Sequence, residues 1–158
     1  MPNAAAASPI VVTGACCARL YIADTDAEAR KLALNGMMGR AYREYLLPLF
    51  GSFRLWPVFK HDQSVADSDV TPEYLVDHHW LVGSSSTVAG KLGGMVQESG
   101  GFNTLLVINF DFKDEYSAWT ASRTALMQEV LPQFNRAAAA PSAPAAAAFE
   151  RCAAIQAR

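Results

Sequence analysis

Residues 71–112 read TPEYLVDHHWLVGSSSTVAGKLGGMVQESGGFNTLLVINFDF. Thr71-Pro72-Glu73 is a helix start, with threonine as N-cap and proline at the first helical position. Tyr74, Leu75 and His78 fall on one face of that helix. Trp80 to Val82 is a short extended piece. Ser84 then caps a helix through about residue 98, whose apolar face is Val88, Leu92, Met95 and Val96. Gly100-Gly101 ends it, as C-terminal glycines do. Residues 104–110, TLLVINF, are a continuous apolar run, the pattern of a parallel strand buried on both faces. A helix leading into such a strand is the unit from which α/β proteins are built.

Upstream, residues 19–24 (RLYIAD) are a strand candidate. Thr25-Asp26-Ala27-Glu28 follows as a capping box. The helix it starts can run to about Leu47, with Gly36 and Gly39 weakening its middle by about 1 kcal/mol each relative to alanine. A break or bend is expected there. Residues 48–70 carry Phe50, Phe53, Trp56 and Phe59 without a clean period. A stretch this long without regular structure is often a lid or binding loop. Its aromatics would either close over a ligand or fill a gap beneath the helix. Downstream of Asp111, which is placed to cap it, a last helix is expected from about residue 114 to 134. Pro132 sits in its final turn and need not stop it early. Residues 1–18 read as an unstructured lead-in, and residues 136–158 as an Ala/Pro-rich tail.

Composition narrows the function classes. The 158 residues carry a net charge of −2 and no basic run, so no electrostatic footprint for nucleic acid or an anionic membrane is present. No apolar run reaches the roughly 18 residues of a membrane span. The start has no positive n-region, and Thr13 to Cys16 only faintly resembles a lipoprotein cleavage site. Cys16, Cys17 and Cys152 form neither a disulfide framework nor a zinc-ligand spacing, so reduced thiols and a cytoplasmic location are expected. His78 and His79 are adjacent and His61 is distant, so no metal site is expected. Ser84-Ser85-Ser86 at a helix start suits capping better than phosphate binding. No GxSxG, Walker or GxGxxG motif occurs.

Four phrases, in order, resemble the C-terminal end of the bacterial luciferase-like flavin-dependent monooxygenases. RLYIADTDAEARKLA resembles the family's penultimate barrel strand and the helix after it. GSSSTVAGKL resembles a phrase in which Gly-Ser is followed by proline and then TVAEKL. GGFNTLLVINFDF resembles the last strand, where GGFGTLLLLGHDW is common. Trp119 and the ending EVLPQF resemble the C-terminal helix. The resemblance covers roughly residues 19–135. A complete (β/α)8 barrel takes about 250 residues. The expected fold is therefore α/β: a partial (β/α)8 TIM-barrel-like unit, the last two strands and their helices, with a long aromatic loop.

The departures bear on chemistry. Ser85 stands where proline is usual, and Gly90, Gly93 and Gly94 replace better helix formers. Asn109-Phe110-Asp111-Phe112 stands for Gly-His-Asp-Trp, so a ligand-facing histidine is missing. The resemblance implies FMN as cofactor, a small organic substrate that receives one oxygen atom from O2, and a flavin reductase as partner. It implies Asn109, Asp111 and Phe112 as cofactor-contacting positions at the strand end. Phe50, Phe53, Trp56 and Phe59 are the substrate lid it implies. No catalytic residue is identifiable. Without the earlier strands the chain is expected to be inactive by itself. The other reading is a non-catalytic α/β unit that binds a partner or self-associates through open strand edges.

Overall fold

The computed structural model describes residues 14–102 and 104–138. Residues 139–158 of the expected tail, Cys152 included, lie outside these residues, as does most of the expected lead-in, while residues 136–138 are helical. The central feature is an extended segment made of β1 (Ala15–Ala18) and β2 (Leu20–Ile22). It begins four residues earlier than the sequence pattern indicated. β2 pairs in parallel with β3 (Leu81–Gly83), Leu20 opposite Leu81. β1 pairs in parallel with β4 (Thr104–Val107), Ala15 opposite Thr104. The Ala18 carbonyl accepts from Ile108 N–H, and the next carbonyl, Arg19, accepts from Leu81 N–H. Successive carbonyls of a pleated strand point to opposite edges. β3 and β4 therefore flank the segment on opposite sides.

This arrangement departs from the expectation in two ways. The 19–24 strand is followed by two paired strands rather than one. The three strand segments also do not lie side by side in chain order, as consecutive strands of a barrel do. The physical reason is edge satisfaction. The outer edge of β3 receives the Lys91 ammonium, which donates to Val82 O (3.0 Å), Trp80 O (3.2 Å) and Val76 O (3.4 Å). Beyond the end of β4, Ile22 N–H donates to Ser122 Oγ at 2.8 Å, and Ser122 has no exposure at all. A lysine and a serine thus occupy positions where another strand would otherwise be needed.

Helices cover both faces. Tyr21 and Val82 face α1 (Asp26–Asn35) and α4 (Pro72–His78), among Ala29, Ala33, Leu75 and Val76. Leu20, Ile22 and Leu81 face the opposite way, against Val88 and Leu92 of α5 (Ser85–Ser99) and against Leu126 and Val130. The side chains of Thr25, Thr71 and Ser84 cap α1, α4 and α5. Gly100 ends α5 in the left-handed conformation (φ 76°). α1 breaks at Gly36, where an added Cβ would collide with the Glu115 carboxylate.

Two prolines share one local solution. α2 (Met37–Ala41) continues through a π turn, Tyr42–Leu46, into α3 (Leu47–Ser52), which holds Pro48. α6 (Tyr116–Ala125) continues through a π turn, Leu126–Val130, into α7 (Leu131–Ala138), which holds Pro132. In each case the residue before the proline donates five back, Leu47 to Tyr42 and Leu131 to Leu126. The widened turn moves the carbonyl that the ring would strike, so the helix passes the proline unbroken. Part of the stretch expected to be irregular is consequently helical. β4 corrects another expectation: it is four residues long, and Leu106 is 48% exposed rather than buried on both faces.

Two stability outcomes follow from this architecture. Lys91→Met leaves the Trp80 and Val82 carbonyls without their donor, and urea unfolding should show a loss of about 1–3 kcal/mol. Gly93 and Gly94 have no atom within 4 Å of an added Cβ. Gly93→Ala/Gly94→Ala should therefore raise stability, by up to about 1 kcal/mol per site, read in the same experiment.

Candidate functional site

Parallel strands carry ligand sites at their carboxyl ends, where the chain leaves the sheet. Here β2 and β3 end side by side, and a crevice of about 450 Å³ opens between them. Its walls are Ile22, Ala23, Asp24, Ser84, Ser85 and Ser86, with Glu129 and Gln133 opposite. Gly83, the last residue of β3, precedes the serines of this wall. Its φ is 153°, and an added Cβ would lie 2.7 Å from Thr87 and 2.9 Å from the Asp26 carboxylate.

Carboxylates already hold the helix start that frames this crevice. Asp26 accepts Ser84 N–H at 2.6 Å through Oδ1 and the Thr87 hydroxyl at 3.0 Å through Oδ2. Ser85 Oγ donates to Glu129 at 2.6 Å. These bonds hold the Asp26 carboxyl below its ordinary range, the Ser84 amide contributing most. Asp24 adds a further acidic group at the mouth. The serine cluster is thus a cap and a helix-to-helix tie, with the Ser84 amide and the Ser85 hydroxyl both given to carboxylates.

A larger groove, of about 710 Å³, runs beside the end of β4. Val107 and Asn109 form one wall, and Tyr116, Trp119, Thr120 and Arg123 of α6 the other. Asn109 is exposed there. Asp111 is exposed and accepts Lys113 N–H at 3.4 Å, ordering the turn into α6. Phe112 is 4% exposed. Its ring stacks on Trp119 at 4.2 Å and meets Tyr21 edge-on at 6.1 Å. The three strand-end positions therefore have three separate settings: a groove, a turn and the core.

The aromatic loop reaches neither opening. Phe50 and Phe59 pack at 4.9 Å, and Trp56 and Phe59 lie against the cluster around Tyr21 and Tyr42. Phe53 is 67% exposed. Phe50, Trp56 and Phe59 are thus part-buried packing residues, and Phe53 is not.

Some of the polar links that position the strand ends have no local sequence signal. Glu115 accepts Met37 N–H at 2.7 Å and lies 3.5 Å from Tyr21 Oη. Burial first, and then the Glu115 charge, pushes the Tyr21 phenol up to about 12. Ser122 is the same kind of residue. Both reach partners 78–100 positions away. Among the described residues, no group of three or more His, Cys, Asp or Glu is arranged to hold a metal ion, and no helix is long and apolar enough to cross a membrane.

No protein-family model matches the chain. The chain is similar to diketocamphane monooxygenases. It is 39% identical over 115 residues to 2,5-diketocamphane 1,2-monooxygenase 2 of Pseudomonas putida, a match spanning 72% of this chain and 32% of that protein. With 3,6-diketocamphane 1,6-monooxygenase of the same organism it shares 33% identity over 114 residues, 72% of this chain and 30% of the relative. The oxygenating constituent of 3,6-diketocamphane monooxygenase, a type II Baeyer-Villiger monooxygenase solved in complex with FMN, superposes with a TM-score of 0.71 at 33% identity. That superposition covers 75% of this chain and 33% of the other. The chain thus spans about a third of the length of the diketocamphane monooxygenases it matches.

Asp26 generates a pH prediction. Its folded-state value is lowered, so the unfolded chain takes up the proton first as pH falls. The stabilisation is present above the unfolded value of about 4 and fades as pH drops towards the folded value. Melting temperature should fall less steeply below about pH 4 in Asp26→Asn than in the parent.

Proposed function

We propose that this chain is the C-terminal portion of a luciferase-like flavin-dependent monooxygenase, acting in the cytoplasm. The whole enzyme inserts one oxygen atom from O2 into a small organic substrate, with FMN as cofactor and a flavin reductase supplying reduced flavin. One observation carries this reading: a match at 39% identity across 72% of the chain. The 0.71 superposition at 33% identity supports it. On this reading the β1–β2 segment, β3 and β4 correspond to strands of the relatives, although here they do not pair in chain order, and the remaining strands belong to the portion of the relatives that the chain does not span.

The residues present do not make an FMN site by themselves. A phosphate needs free amide donors or a cation. The crevice at the strand ends is lined by Asp24 and Glu129, with no lysine or arginine, and Asp26 already holds the Ser84 amide. Arg123 is in the other groove, beside α6. The chain's own part in the reaction is thus to supply strand ends and a wall, and the flavin contacts come from elsewhere in the assembled enzyme.

A second reading is a non-catalytic α/β unit. It is favoured by the capped edges, since Lys91 and Ser122 leave less open backbone than two bare strands would. Titration of the purified chain with oxidised and reduced FMN, followed by fluorescence and calorimetry, tests whether the chain depends on the rest of the enzyme for flavin binding. No saturable binding, and no NAD(P)H- or flavin-dependent oxygen transfer, is expected of the isolated chain. Saturable micromolar binding would show that it assembles a flavin site unaided.

A further inference from the structure

The segment between α3 and α4 returns to the body of the protein at one polar cluster. His61 comes from this segment, and Tyr74 and His78 lie one turn apart on α4. The His61 and His78 rings are stacked, with centroids 3.9 Å apart and planes inclined by only 7°. Tyr74 Oη accepts the His61 backbone N–H at 3.0 Å and lies 2.5 Å from His61 Nδ1. The tautomer of the neutral ring sets which of the two groups donates in the Nδ1–Oη contact, and a charged His61 donates to the phenol oxygen, so the pH-sensitive element is the ring stack.

We propose that His61, Tyr74 and His78 form an acid-sensitive latch that holds the aromatic segment on α4 while the imidazoles are neutral and releases it when they are protonated. Imidazoles gain their proton within about pH 5 to 8. Two stacked cations would then repel at a centroid separation of 3.9 Å. Of the surrounding charges, the Asp62 carboxylate bears directly on His61, and the acids on α4 are paired with arginines. Asp62 accepts Ser64 N–H at 2.8 Å, and Lys60 pairs with Asp67. On α4, Glu73 pairs with Arg43, and Asp77 pairs with Arg30 of α1. His79 bonds the Phe59 carbonyl, and Arg19 bears on it from the sheet. His79 is held below its ordinary value chiefly by burial, so it charges after an ordinary imidazole as pH falls.

The latch is independent of the flavin reading. Its consequence is control over the one long connection in the described chain. The remaining holds on that connection include the apolar contacts of Trp56 and Phe59 and the His79 bond to the Phe59 carbonyl.

Hydrogen–deuterium exchange of the full chain at pH 7.5 and 5.5, corrected for intrinsic rates, tests it. Peptides spanning 59–71 should exchange at least fivefold faster at pH 5.5, while peptides spanning 81–92 stay unchanged. His78→Phe keeps a ring in the stack without its charge and should reduce the acid response below twofold; His78→Gln serves as a second variant. His79→Gln should keep the response. An equal exchange rate at both pH values in the parent chain overturns the proposal. So does a full response in both His78 variants, or a response lost in His79→Gln.

Discussion

The segment through β1 and β2 hydrogen-bonds on both edges, and the rest of the structure is arranged around that fact. β3 takes one edge and β4 the start of the other. Where β4 ends, the buried Ser122 hydroxyl takes over at Ile22. A buried amide left unpaired costs about as much as a lost hydrogen bond. The placement of α6 is therefore set by backbone accounting as well as by apolar packing. The Lys91 ammonium closes the outer edge of β3, drawing a half-buried charge over three carbonyls. Burial lowers the Lys91 value below that of an ordinary lysine, the expected cost of stationing an ammonium there.

The same accounting shapes the region where a ligand site would lie. The carboxyl ends of β2 and β3 present free amides and hydroxyls, the usual means of holding an anion. In this chain Asp26 and Glu129 use those donors to tie α1 and the 126–130 turn to the start of α5. The Ser84 amide and the Ser85 hydroxyl are thus committed to stabilising the strand ends. The similarity to diketocamphane monooxygenases covers only about a third of their length. A crevice closed by its own acids is consistent with flavin contacts being supplied by residues beyond that third.

Features that depend on neighbours within one helical turn were legible in the sequence. Thr25, Thr71 and Ser84 cap the helices they were expected to cap, and Gly36 breaks the first helix where weakness was expected. Pro132 lies inside a continuing helix. The π turns before Pro48 and Pro132 were not read from the sequence, although the prolines that they accommodate are local to them. Phe112 illustrates a different limit. Its position after a strand suggested ligand contact, whereas its ring stacks on Trp119 in the core. Alternation along a strand end does not fix which way the chain turns next.

The sequence by itself determined the α/β class, the capped starts of α1, α4 and α5, and the family likeness, because caps, glycines and apolar periods act over three or four residues. Only the tertiary structure decided strand order, the owners of the free edges and the fate of the strand-end donors. Those choices join residues such as Ile22 and Ser122, or Met37 and Glu115, that are 78–100 positions apart. Local propensity contains no term for such pairs. They are selected by which buried amides and carbonyls still need a partner once the apolar faces have closed.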